Sequence, residues 1–193
     1  MQYKNYEIKT VQDFDPESPR DWDNLGTMAL FHNQYGLGDK DHGFSSSSYH
    51  SWDEMEADIC RKKDIAVILP VYMYDHSGIT INTTGFSCPW DSGQVGFIWI
   101  SKDEARKEYG WKVVNQKRKD ELKKYLVSEV NTYDLYLNGE VYGYEVTDSE
   151  GKHIDSCYGF YGDPEESGLM EQAKSAVDCD LSSIGEQLEL KLA

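Results

Sequence analysis

Bases are scarce in this chain. Its 193 residues carry 19 lysines and arginines against 35 aspartates and glutamates, a net charge of −16. That imbalance argues against direct binding to nucleic acid or to an anionic membrane, since both repel the chain. It leaves room for a basic protein partner. Cysteines are few and scattered, at Cys60, Cys88, Cys157 and Cys179. No two form a CxxC pair, which argues against a structural zinc site of the usual spacing and points to the reduced thiols of a cytoplasm. No apolar run approaches the ~18 residues of a membrane helix. The opening MQYKNYEIKT has no apolar stretch, so no secretory leader is expected.

What the chain does have is enough to fold. Apolar content is 39%, aromatic content 13%, and tyrosine alone supplies 14 residues. Tyrosine suits half-buried sheet surfaces, because its ring is apolar and its tip polar. The charge is uneven: residues 1–60 sum to −8, 61–131 to +3 and 132–193 to −11.

Hydrophobic periodicity and turn chemistry predict one α+β domain over 1–193. An N-terminal strand over 3–11 leads into an acidic loop ending near residue 24. A second strand covers 25–32, with helix as the competing reading, and a Gly- and Ser-rich loop follows. Ser51 with Glu54 marks a capped helix over 51–63, with Trp52, Met55 and Ile59 on one face. Strands over 64–74, 78–85 and 95–101 read as a three-stranded antiparallel meander. Pro70 suggests an edge position or a bulge. Ser101, Glu104 and Gly110 bound a short helix over 101–110, and a helix over 115–130 carries Leu122, Tyr125, Leu126 and Val130 at core spacing. Asn138-Gly139, between alternating runs, predicts a type I′ hairpin and a second meander over 133–162. A helix over 163–177 and a short helix or loose tail over 180–193 complete the chain. The expected architecture is α+β, with antiparallel sheet from two meanders and helices packed mainly on one side.

Several clusters bear on chemistry. Cys88, His76 and Asp91 are the residue types of a thiol nucleophile, a base and an orienting acid. Successive turns of a meander lie at opposite ends of the sheet, so the 75–78 turn and the 86–93 loop are expected to be far apart. A Trp and a Cys in that loop are expected to be buried. His32, Asp39, Asp41 and His42, with Asp75 and His76, suit a transition metal by type, but no metal-binding spacing is present. No metal or cofactor is expected. The basic KVVNQKRKDELKK beside Trp111 alternates with acids and reads as a solvated helix face. The acids Asp13, Asp15, Glu17, Asp21, Asp23, Asp163, Glu165 and Glu166 form the candidate partner-binding set. Spread on a surface, they would imitate the phosphate array of DNA.

The segments LPVYMYDHSGITINTTGFSCPWDSGQVGFIWISKDEARKEYG, VNTYDLYLNGEVYGYEV and DSCYGFYG resemble an uncharacterised family of hypothetical proteins carried by phages, prophages and conjugative elements. The likeness spans most of residues 25–162. It implies a genomic context and no chemistry. The expectation is therefore a non-enzymatic acidic binding protein of a mobile element, in the host cytoplasm. Its partner would be a basic host protein, such as a nucleic-acid-binding one, and it would act as a DNA mimic or anti-defence inhibitor. Two alternatives stand beside it. One is a hydrolase or metal-dependent enzyme using His76, Cys88 and Asp91. The other is a structural or oligomer-forming module built on Tyr-rich edges.

Overall fold

The computed structural model describes residues 1–192, with the side chains of residues 1–184. Eight strands and four helices follow one another: β1 (Gln2–Tyr3), β2 (Tyr6–Gln12), β3 (Thr27–Leu30), α1 (Trp52–Lys63), β4 (Ile65–Asp75), β5 (Ile79–Asn82), β6 (Ser92–Ser101), α2 (Lys102–Tyr109), α3 (Gln116–Leu137), β7 (Val141–Thr147), β8 (His153–Tyr161) and α4 (Leu169–Leu192). Single turns of 3-10 helix lie at Pro19–Asp21 and Ser46–Ser48. The class is α+β, with two antiparallel sheets. These elements form two compact units. Unit 1 is Met1–Glu17 with Gly139–Ala193, and unit 2 is Ser18–Asn138.

Unit 1 is a four-stranded sheet, in the order β1-β2-β7-β8, with α4 against one face. Ile8 opposite Val146 and Thr10 opposite Tyr144 set the register. That register turns Tyr6, Ile8, Tyr144 and Val146 toward Leu169, Met170, Ala173 and Val177 of α4, which recur at helical spacing. Tyr144 is fully buried, and its hydroxyl donates to Asp155 Oδ2 at 2.7 Å. The two-residue hairpin of the chain is β1–β2, where Lys4 (φ 48°) and Asn5 (φ 67°) take the paired left-handed conformations of a type I′ turn.

The hairpin predicted at Asn138-Gly139 is not formed. α3 continues to Leu137, and Asn138, at φ −81°, caps its C-terminus. Gly139 follows at φ 70°, the left-handed residue that stops a helix. The α4 helix starts later than predicted, at Leu169. Residues 163–167 form a turn instead, in which Asp163 O accepts from Glu166 N and Ser167 N. From Leu169 the helix runs unbroken to Leu192, and Ala193 lies outside the described residues.

Unit 2 is a four-stranded sheet in the order β3-β6-β4-β5. From Phe97 onward apolar residues alternate faces along β6. Ile98 and Ile100 share a core with Leu122, Leu126 and Val130 of α3, and Phe97 and Trp99 share one with Met55 and Ile59 of α1. Helices thus cover both faces, which explains why β4 and β6 read as nearly continuous apolar runs. Pro70 pairs with Phe97 of β6 on one side, while β5 reaches only Tyr72–Asp75 on the other, so the position is locally an edge, and the nearby register shift at Val71/Tyr72 places its extra residue on β6. The close approach of β3 to β6 depends on Gly96, where a Cβ would lie 2.0 Å from Ala29 O.

One connection differs from the predicted meander. β6 pairs with β4, not with β5. After β5 the chain passes back beyond the end of β4 and joins its other side.

Candidate protein-interaction surface

Two acidic runs of unit 1 meet at one end of its sheet. β2 ends at Gln12, and Asp13 N then donates to Val141 O at 2.9 Å, at the start of β7. The chain crosses that end of the sheet until Glu17 O accepts from the Tyr161 hydroxyl, at the finish of β8. Gly162 N donates to Glu140 O at 2.8 Å, and the 163–167 turn follows at once. Asp13, Asp15 and Glu17 therefore lie at the same end as Asp163, Glu165 and Glu166, although about 150 residues separate the two runs. Short local bonds shape both: Asp13 Oδ1 accepts from Asp15 N, and Asp163 Oδ1 accepts from Glu165 N. These are the turns that aspartate favours in loops.

Among the described residues none of these six carboxylates is in an ion pair. Unit 1 has few bases to offer. It carries seventeen acids and five bases, hence −12 of the total −16, and two of its lysines are spent on Asp178 and Glu7. Between Asp13 and Asp15 stands Phe14, with 89% of its surface exposed. Phe14 thus presents an aromatic ring to solvent beside carboxylates that have no ion-pair partner among the described residues. That arrangement suits a contact that buries the ring and neutralises the acids.

Asp21 and Asp23 belong to unit 2 and are exposed there. Beside them is a residue that sequence reasoning missed. Arg20 was read as part of an exposed acidic loop, yet only 4% of its side chain is exposed. Its Nε and Nη2 donate to Asp39 Oδ1 and Oδ2 at 2.8 and 3.0 Å, and Nη1 donates to Glu129 Oε2 at 2.8 Å. The two carboxylates also accept from Met28 N and Gly26 N. Burial alone would lower the Arg20 pKa, but Asp39 and Glu129 outweigh it and raise it. Burial pushes the Glu129 carboxyl up, and the bonds from Arg20 and Gly26 offset this only in part. The cluster is a structural clamp.

The enzyme candidates are closer together than predicted. Because β6 returns to β4, Asp75 N donates to Asp91 O at 2.9 Å and the turn meets the loop. His76 Nδ1 lies 3.4 Å from Asp91 Oδ2, and Cys88 Sγ donates to the same oxygen at 3.8 Å. The expectation of opposite ends was wrong, because it assumed a pairing of β5 with β6. The order of the contacts is thiol–carboxylate–imidazole. A thiol nucleophile needs the imidazole against the thiol, with the acid on its far side. The His76 side chain is 65% exposed. Trp90, expected to be buried, is 91% exposed.

The histidines suggested for a metal are otherwise engaged. His32 Nδ1 accepts from Gln34 N, His42 Nδ1 accepts from Phe44 N, and Asp39 belongs to the Arg20 clamp. Among the described residues no group of three metal-ligating side chains converges. Among the described residues no helix is long and apolar enough to cross a membrane. No family model, no curated protein and no solved structure matches the chain.

Proposed function

We propose that this chain is a non-enzymatic acidic binding protein of a phage or related mobile element. It engages a basic host protein through the acidic end of unit 1. The observation that supports this is the convergence of two distant acidic runs, without ion-pair partners among the described residues, around an exposed Phe14. Phe14 acts as the anchor and the carboxylates as the complementary rim. In the DNA-mimic form of this reading, the partner's nucleic-acid site is what the carboxylates occupy.

The test is capture of basic proteins from a bacterial lysate by the immobilised chain over rising salt. Capture is expected to fade as surface charges are screened. It is expected to be lost in Phe14→Ala and in the triple variant Asp163→Asn, Glu165→Gln, Glu166→Gln. Capture that is indifferent to salt and to both variants would sink the proposal. Added duplex DNA should release the captured protein. If it does not, the mimic form fails while the binding reading stands.

The proximity of His76, Cys88 and Asp91 favours a second reading, thiol chemistry at the 86–93 loop. It requires His76 to turn from Asp91 to Cys88. Alkylation of Cys88 by iodoacetamide at neutral pH separates the two readings. A rate no faster than that of a free cysteine peptide, unchanged in His76→Ala, removes the enzyme.

A further inference from the structure

Unit 2 contains a cleft of about 400 Å³ at the C-terminal end of α2, bordered by Asp23, Glu104, Lys107, Glu108, Tyr109 and Tyr125. That volume falls within the range of small-ligand sites. We propose that this cleft receives a single guanidinium group, the side chain of an arginine. The proposal rests on the basic-partner reading above and names the side chain that a basic partner would offer to unit 2.

The first argument is an aromatic ladder that ends at the cleft. Arg118 lies over the Trp111 ring at 4.8 Å, and Tyr109 stacks on the same ring at 4.4 Å with the planes 16° apart. Guanidinium and phenol both lie against the one indole, and Tyr109 carries the ladder to the border of the cleft, where it is 43% exposed. A second guanidinium over the Tyr109 ring would repeat there the contact that Arg118 makes at Trp111. A planar cation over an aromatic face is favourable, more so when partly desolvated.

The second argument is charge. Three carboxylates and one ammonium border the cleft, a balance of −2. Glu104 is committed, since it accepts from Ser101 N at 2.8 Å in the capping box of α2. Asp23 and Glu108 are exposed and, among the described residues, in no ion pair. They are free to take the N–H groups of a guanidinium stacked on Tyr109. Phosphate and carboxylate ligands meet repulsion here. Arginine suits the site better than lysine. Its planar fork both stacks on a ring and binds carboxylates in parallel pairs, whereas an ammonium is a compact, strongly hydrated point charge.

The experiment titrates Nα-acetyl-arginine amide into the full chain and follows the Tyr109 and Tyr125 ring resonances by NMR. Saturable shifts at both rings are expected. Affinity should fall about tenfold in Tyr109→Ala and in Glu108→Gln, and should persist in Tyr109→Phe, which keeps the ring. The neutral isostere Nα-acetyl-citrulline amide should give no saturable shift. If the arginine probe fails to saturate, or the citrulline probe matches it, the inference is overturned. If Tyr109→Ala does not fold, the exposed Glu108→Gln and Asp23→Asn decide, and undiminished binding in both overturns the inference. The unit 1 triple variant at 163–166 separates this proposal from the one it rests on. It should abolish partner capture and leave arginine binding intact. Capture that persists in a wild-type chain unable to bind the arginine probe removes the cleft alone.

Discussion

An arginine with 4% of its side chain exposed must be matched by acids, and Arg20 is matched twice. Removing it leaves Glu129, itself 7% exposed, as a buried carboxylate without its cation. Arg20→Ala is therefore expected to cost about 3–5 kcal/mol, measurable by urea unfolding. The pH dependence follows from Glu129, whose pKa is already raised by burial. A group raised in the folded state stabilises the fold fully below its unfolded value, about 4.3 for Glu, and that contribution is lost as pH rises through the folded value. Loss of Arg20 raises Glu129 further. The deficit of Arg20→Ala should thus shrink between pH 7 and about pH 4.5, and Arg20→Ala with Glu129→Gln should recover part of it at pH 7. A deficit constant over that range would mean that the arginine acts through packing, not charge. Nothing local in the sequence marks this residue. Its partners are 19 and 109 positions away, and its neighbours are prolines and acids that ordinarily mean solvent.

Among the elements, turn chemistry was read correctly in kind and misplaced by context. Asn-Gly favours a tight hairpin, but glycine at positive φ ends a helix equally well. The α3 pattern of buried residues continues through Val130 and Tyr133, so helix wins over the hairpin at 133–137. The two-residue hairpin that does form uses Lys4-Asn5, a weaker signal. Gly139→Ala places a Cβ on a left-handed residue and is expected to cost about 1 kcal/mol, with the α3 end fraying in amide exchange. The N-caps at Ser51 and Ser101 were legible, because the pattern is contained in four residues; the full capping box forms at Ser101, whereas at Ser51 the Glu54 carboxylate accepts from His50 N instead. Strand order was not legible. Hydrophobic alternation locates β4, β5 and β6 but does not choose between β4-β5-β6 and β6-β4-β5. That choice decides whether His76 and Cys88 meet. At the acidic end the residue types were legible, whereas their convergence depends on the pairing of β2 with β7, about 130 residues further along the chain.

For the whole molecule, charge and chromophores divide along the same line. Unit 1 holds −12 in 72 residues, and unit 2 holds −4 in 121. All five tryptophans, at 22, 52, 90, 99 and 111, belong to unit 2, so tryptophan fluorescence reports that unit alone. Far-UV circular dichroism reports both. A unit with a large excess of one sign is destabilised by self-repulsion, which salt screens. Raising salt from about 0.01 to 0.15 M shortens the Debye length from about 30 to 8 Å, so distant acids within unit 1 cease to interact. Relief of about 1 kcal/mol moves the midpoint of a unit this size by ~4–8 °C. Thermal melts are therefore expected to show a dichroism component that rises with salt while the tryptophan transition barely moves. Coincident transitions with equal salt shifts would show that the two units unfold as one.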